Sequence, residues 1–403
     1  MIGRPFAARP PWISACTRII GRVIVTRIQL KNWRNFQSVD VQLGYRVFLV
    51  GPNASGKSNF LDVFRFLREV AKDGGGLQKA VSDRGGLSKI RCLAARRYPN
   101  IEIGVELAER QGAEPLWRYS IALAQEPRGR RQPLLAHERV WKEGRQILSR
   151  PDEMDRKDPT RLTQTHLEQV NSNLEFREIA RFFAATTYLH LVPQLLKKPE
   201  MFRIGQMEED LFGRLFLERL SNTPEKTRKA RLRLIERALT LIVPQLKQLN
   251  YAEERGAPHL EAVYEHWRPN AGKQREDQFS DGTLRLIGLL WSLLETDSLL
   301  LLEEPELSLN KAIVTRLPGL FFRLTQKKKR QVLVSTHSED LLTTQSIEAE
   351  EVLLLSPDSE GTKVQRASDI EQVRELLKAG FTPGEAVMPL TTPPHASQLE
   401  LFH

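Results

Sequence analysis

From Val23 onward hydrophobic and polar positions alternate. Val23, Val25, Ile28 and Leu30 precede a polar turn at Asn32 to Asn35, and Val39, Val41 and Leu43 follow it. A period near two interrupted by a turn predicts a hairpin. Val47-Phe-Leu-Val50 is a continuous apolar run that stops at a Gly-rich turn, and Asn59 to Val70 repeats apolar residues at helical spacing. Strand, glycine turn and helix follow one another without a gap. Gly74-Gly75-Gly76 and Gly85-Gly86 then break the chain, and strand-like runs occupy Ile101–Leu107, Trp117–Ala122 and His137–Leu148. Residues 151–160, with Pro151 and Pro159, read as a linker. The text from Leu162 to Leu249 reads as helical. Asp297–Leu302 and Gln331–Ser335 have the unbroken apolar character of buried parallel strands, with a helix expected from Leu309 to Thr325 between them.

Composition narrows the class without naming a function. The chain has 403 residues, 40% hydrophobic and 27% charged, ordinary for a globular protein and wrong for a disordered, collagenous or disulfide-scaffold chain. No run approaches the roughly 20 apolar residues of a membrane-spanning helix. Cys16 and Cys92 have no metal spacing and suit a reducing cytoplasm. A formal charge of +10 permits contact with a polyanion but does not select one. The basic, acid-poor stretch 1–22 reads as an extension outside the fold.

The chemistry begins at Gly51-Pro-Asn-Ala-Ser-Gly56-Lys57-Ser58, which fits G-x-x-x-x-G-K-[ST]. Glycines let consecutive N–H groups, here across Gly51, Asn53, Ala54, Ser55 and Gly56, turn inward around a phosphate. The helix that follows adds its positive end at Asn59. Lys57 would reach the β- and γ-phosphates and Ser58 would hold Mg²⁺. The second strand ends in Glu303-Glu304-Pro305-Glu306, delivered to the same crevice at the carboxyl end of a parallel sheet. Glu303 is placed for the Mg²⁺ shell and Glu304 to orient or deprotonate the attacking water.

Ser280-Asp281-Gly282-Thr283 opens a helix before these acids, and Thr336-His337-Ser338 closes a strand after them. In this order the four elements resemble Walker A, signature, Walker B and switch histidine of the ABC-type ATPases. The wording Ser-Asp-Gly-Thr, Glu-Glu-Pro-Glu and Ser-Thr-His-Ser is similar to the RecF/SMC-like branch, as is Lys31-Asn-Trp-Arg-Asn35-Phe36. The likeness runs from Val23 to Asp369. It implies an α/β ABC-ATPase head with a mixed, largely parallel P-loop sheet, an N-terminal antiparallel β subdomain and a compact inserted helical lobe. The corresponding divisions are 23–160, 161–295 and 296–380, with a flexible Pro-rich tail over 381–403. Four prolines from Pro193 to Pro244 exclude a long coiled-coil arm.

The resemblance also implies roles. Ser280 and Gly282 would meet the γ-phosphate of ATP held by a second protomer, His337 would touch it in cis, and Ser308-Leu-Asn310 would cross the dimer interface. Arg34 and Asn35 would line the nucleotide. Gln164 is the candidate for sensing Mg²⁺ and the attacking water, with Gln78 and Gln169 as competitors. Departures are Asp281 where transporters have glycine, Glu303 where most ABC proteins have aspartate, and Asn310-Lys311 in place of the His-Pro often found there.

The function implied is a slow, cytoplasmic ATPase forming an ATP-dependent head-to-tail homodimer, acting as a clamp or switch on DNA in repair or anti-phage defence. An alternative is a protein–protein switch controlling a separate nuclease subunit, and a transporter ATPase subunit is less favoured. Basic runs at Arg128–Arg131, Lys226–Arg233 and Lys327–Arg330 are the candidate DNA contacts. Gln398-Leu399-Glu-Leu401-Phe402 resembles the peptide that docks on a bacterial sliding clamp.

Overall fold

In a computed structural model, residues 23–95, 99–126, 131–197, 216–265, 272–295 and 298–392 are described. The first alternating segment folds as expected: β1 (Ile24–Trp33) and β2 (Phe36–Gln42) pair antiparallel across the Asn32–Asn35 turn. β3 (Arg46–Val50) is buried along its whole length and enters helix α1 (Lys57–Ala71). β4 (Ile101–Ala108), β5 (Trp117–Gln125), β6 (Pro133–Lys142) and β7 (Arg145–Arg150) extend the hairpin into an antiparallel sheet of order β2-β1-β4-β5-β6-β7. The run His137–Leu148 is therefore two strands. Glu143 and Gly144 take left-handed φ of 49° and 79°, the pair of values that a tight hairpin turn requires.

Helix α2 (Arg177–Ala184) leads into the short β8 (Thr187–Leu189), and α3 (Glu225–Thr240) supplies part of the expected helical lobe. The lobe is not wholly helical. β9 (Leu246–Glu254), β10 (Ala257–Tyr264) and β11 (Lys273–Arg275) form a small antiparallel sheet. Leu246 and Leu249, three residues apart, mimic a helical stripe. They face inward together because the register slips opposite Ala262, where Gln248 is left-handed at φ 52°.

α4 (Asp281–Glu295) precedes β12 (Leu300–Glu303), and α5 (Leu317–Lys328) precedes β13 (Val332–Ser335). The helix expected over Leu309–Thr325 divides into a short Lys311–Val314 turn and α5, because Pro318, which lacks an N–H, sits in the first turn of α5. β14 (Val352–Asp358), β15 (Gly361–Arg366) and α6 (Glu371–Lys378) complete the order. The central sheet runs β15-β14-β3-β13-β12-β8, all neighbours parallel except the β14–β15 hairpin.

Strand alternation divides the core around this sheet. Val47, Leu49, Leu301, Leu333 and Leu353 face α1 and the antiparallel sheet, whereas Phe48, Val50, Leu300, Leu302, Val334 and Leu354 face α4 and α5. The sheet is covered on both faces, and its strand ends form the accessible rims.

The beginning of the expected flexible tail is folded. Thr382 and Glu385 form a capping box around Pro383, and Ala386 and Val387 are buried beside Leu341 and Leu342. Pro383 opens a helical turn there. The clamp-like residues Gln398, Leu399, Leu401 and Phe402, and the 1–22 extension, lie outside the described residues. Among the described residues the longest helix, α3, has 16 residues, and no helix is long and apolar enough to cross a membrane.

Candidate nucleotide site

Three adjacent parallel strands end at one level. Leu49 of β3 pairs with Ser335 of β13, which pairs with Glu303 of β12. Continuing one or two residues beyond that level brings Gly51, Thr336-His337 and Glu304 to a common rim. The backbone seals it: Glu304 N–H donates to the Ser335 carbonyl at 3.0 Å and Thr336 N–H to the Leu49 carbonyl at 3.1 Å.

The loop after β3 is held from outside by Asn35. Its Nδ2 donates to the Ser55 carbonyl at 2.8 Å and to Thr362 Oγ1 at 2.7 Å, while its Oδ1 accepts from Asn59 Nδ2 at 2.8 Å. Gly56 is left-handed at φ 97°, and a Cβ there would lie 2.2 Å from Asn35 Nδ2. The glycine thus answers both a backbone and a space requirement. Arg34 reaches Asp62 of α1 at 3.2 Å and the Lys89 carbonyl at 3.3 Å. In this geometry Arg34 and Asn35 brace the loop and its helix; their contacts are with protein groups that support the loop.

Lys57 Nζ donates to the Gly51 and Pro52 carbonyls at 2.9 and 3.1 Å, inside the curve of the loop. Burial lowers its pKa to about 8, against the pull of Glu304, Glu303 and Glu306. It remains cationic at neutral pH. Ser58 Oγ donates to Glu303 Oε1, so the two expected magnesium-holding side chains meet directly. A hydroxyl and a carboxylate converging on one point form the hard oxygen donor set that Mg²⁺ prefers. These residues fit Mg²⁺ with a nucleotide triphosphate.

Glu304 sits at φ 44°, unusual for a side-chain-bearing residue, with its Oε1 3.5 Å from His337 Nε2. His337 is held below its ordinary pKa by burial and then by the Lys57 charge, and Glu304 partly offsets them. A neutral imidazole beside a carboxylate can accept or pass a proton at that carboxylate. Glu306 is buried and accepts from Thr336 Oγ1 at 2.5 Å and His337 N–H at 3.3 Å. It thereby links the acidic turn to the strand carrying His337.

Two residues that sequence reasoning passed over also lie here. Tyr188 of β8 donates its phenol O–H to Glu303 Oε2. His190, just beyond β8, is carried toward the same rim, since β8 is parallel to β12. Only the three-dimensional pairing of β8 with β12 reveals them; β8 is too short to stand out in the sequence. Gln164 is exposed, with Oε1 accepting from Gln169 Nε2 at 2.8 Å. Gln78 Nε2 bonds the Pro133 and Thr163 carbonyls. Among the described residues no hydrogen bond joins any of these three glutamines to Ser58 or Glu303, so the expected magnesium role of Gln164 gains nothing from its position.

Ser280 is exposed and caps α4, accepting the Thr283 N–H at 3.1 Å. A Cβ on Gly282 would lie 2.6 Å from the Ser308 carbonyl, so the signature helix presses its first turn onto the turn that follows Glu306. Asp281, the departure from the signature pattern, is bonded by Gln194 at 2.7 Å and Lys197 at 2.8 Å. Those two side chains account for an acid at this place.

Of the basic runs, Arg330 is fully buried and bonds the Ser298 and Ser292 carbonyls. Arg228 stacks 3.9 Å from the centre of the Tyr251 ring and bonds the carbonyls of Leu220, Ser221 and Thr223. Both are structural cations. Arg128 to Arg130 lie outside the described residues.

A triphosphate loop, an acidic turn and a histidine at the rim of a covered parallel sheet, backed by an antiparallel sheet, make up the fold of an SMC-type ATPase head. The SMC head bound to the C-winged helix domain of ScpA shares this fold, with a TM-score of 0.50 at 16% identity over 85% of this chain and 96% of that one. SMC heads of Pyrococcus yayanosii (TM-score 0.49, 13% identity, 89% and 99% covered) and Pyrococcus furiosus (0.48, 15%, 88% and 100%) are also similar. By sequence, the chain belongs to the family described as "AAA domain, putative AbiEii toxin, Type IV TA system", which matches residues 46–343. No curated protein matches the chain.

Proposed function

We propose that this ATPase works as a head-to-tail homodimer whose ATP-closed form is a switch in DNA repair or anti-phage defence. The observation that carries the dimer is the placement of Ser280. It is exposed at the tip of α4, and among the described residues no hydrogen bond ties it to the phosphate loop of its own chain. A second protomer offers it a γ-phosphate. In this reading Lys57 and His337 hold that phosphate from one side and Ser280 and Gly282 from the other. Ser58 and Glu303 hold Mg²⁺, and Glu304 activates water. Carrying a dimer from 1:99 to 99:1 closed takes about 5.5 kcal/mol of differential binding. Charge-assisted contacts of about 1.5–3 kcal/mol each, two or more per phosphate, reach that value.

The family description names a toxin of a type IV toxin–antitoxin system, which favours defence and the second reading, a switch acting on a partner protein such as a separate nuclease. The SMC head's complex with ScpA is a precedent for a protein partner on this fold. The charge of +10 favours DNA, weakened by the structural duties of Arg228 and Arg330.

Purified wild type and Glu304→Gln, each with ATP and Mg²⁺, provide the test by light scattering and gel shift. A Glu304→Gln dimer that retards DNA is expected. A dimer that ignores DNA at low salt selects the protein-partner reading, and a monomer in both proteins rejects the sandwich.

A further inference from the structure

We propose that Tyr188 is a positioning residue for the magnesium-holding carboxylate, and that it is what lets this chain use a glutamate at the end of its second strand. The assignment deepens the ATPase reading and rests on it. Tyr188 pairs in register with Leu301, and Glu303 lies two residues further along β12, on the same face of the sheet. The phenol therefore points along the sheet at the carboxylate. Its O–H donates to Glu303 Oε2, while Oε1 accepts from Ser58 Oγ. Each carboxylate oxygen has its own partner, so Oε1 alone is turned toward the metal position.

The ring is itself fixed. The Arg65 guanidinium of α1 lies 4.6 Å from its centre, and Arg65 is 3.5 Å from Asp62 on the same helix. Tyr188 is buried, and its hydroxyl is directed at Glu303. A glutamate has one more rotatable bond than an aspartate, and that bond must be locked for a carboxylate to serve a metal. A donor on the neighbouring strand does this. An aspartate at 303, shorter by one methylene, would not span from Ser58 to Tyr188.

The prediction is read from metal dependence. Binding of a fluorescent ATP analogue is titrated with Mg²⁺ in wild type, Tyr188→Phe, Glu303→Asp and the double variant. Mn²⁺ binding to the nucleotide-loaded proteins is followed by electron paramagnetic resonance. Loss of an outer-shell partner typically weakens metal binding 10–100-fold. Tyr188→Phe should raise the half-saturating Mg²⁺ and Mn²⁺ concentrations by about that factor and leave metal-free nucleotide affinity unchanged. In the Glu303→Asp background the same change should have less than about a twofold effect. Equal effects in the two backgrounds, or an unshifted metal dependence with nucleotide binding intact, overturn the assignment. A wild type that binds no nucleotide overturns it together with the reading of the whole site. Unchanged metal-free affinity excludes misfolding as the source of a shift.

Discussion

Gly282→Ala and Gly319→Ala are the same chemical change in two helices, and the structure assigns them opposite signs. At Gly319, near the start of α5, no heavy atom lies within 4 Å of an added Cβ. Only the helix term remains, a gain of about 0.5–1 kcal/mol for alanine over glycine. At Gly282 the new methyl would sit 2.6 Å from the Ser308 carbonyl oxygen, so reaching an ordinary contact of about 3.4 Å means a separation of roughly 0.8 Å. That oxygen belongs to a backbone already in the left-handed region at φ 61°, so it has little room to yield. Overpacking of this kind costs about 1–3 kcal/mol, and the helix gain offsets less than 1 of it. The net expectation is a loss of about 1–2 kcal/mol, seen as a lower unfolding midpoint in urea. Nucleotide binding through Lys57 and Ser58 should persist, because neither touches the displaced turn. Hydrolysis should fall by up to about 100-fold, the cost of shifting an attacking constellation by nearly 1 Å. Midpoint and steady-state ATPase rate are measured on both variants. A Gly282→Ala protein as stable and as active as Gly319→Ala would refute the close approach of α4 to the post-Glu306 turn.

Glu138→Ala should destabilise by about 3–5 kcal/mol, because the Tyr119 hydroxyl and the N–H groups of His166 and Leu167 lose their buried acceptor at about 1–3 kcal/mol each. Arg150 loses Glu138 as well but keeps Asp155 and the Arg161 and Gln164 carbonyls. Chemical denaturation checks it, and a loss under about 1 kcal/mol would show that the cluster is not the clamp holding 151–168 on β6. His166 should make stability fall as pH drops from about 6.5 to 4. Burial, then Arg150, lower its folded pKa to about 4, so across that window the unfolded chain binds a proton that the folded chain refuses. Above pH 6.5 neither state binds it and the contribution is level. His166→Gln should flatten this part of the stability profile, and an identical slope in the variant would remove His166 from the account.

The legible parts of the chain are those in which local pattern and global position agree. Val47–Val50 is apolar on every residue because both faces of β3 are covered, and the loop beyond it carries its requirements in its own letters. Glu303, Glu304 and His337 sit where their order in the chain places them, Glu303 as the last residue of β12, Glu304 just after it and His337 two residues past β13, the strand beside β3. The failures have a different origin. Leu246 and Leu249 look helical because a bulge restores inward facing after three residues, and the hairpin at Glu143-Gly144 was hidden inside an apparently continuous strand. Gln164 lies away from the end of β12, and the strand that borders β12 is what meets Glu303. That strand is β8, only three residues long, and its partner is fixed more than 100 residues away. A short buried strand has too few letters to announce its neighbour.

The acidic turn shows why glutamates at 303, 304 and 306 are not interchangeable. Glu303 still belongs to β12, and its two oxygens are taken by Ser58 from the loop side and Tyr188 from the sheet edge. Glu304 is the first residue past the strand; its φ of 44° turns its side chain toward His337. Glu306 faces back into the protein and is bonded by Thr336 and the His337 backbone. One turn therefore distributes three carboxylates to three neighbours: the phosphate loop and β8, the histidine side chain, and the end of β13. The strained backbone at Glu304 and Ser308 lies on both sides of the Glu306 anchor, so displacement of the β13 end pulls on both. Gly282 presses on Ser308 from the signature helix. Contacts from the tip of α4 through Ser308 and from His337 therefore converge on the turn that begins at Glu304. In the proposed mechanism Glu304 activates water, and misplacing its carboxylate by about 1 Å would cost about 100-fold in rate.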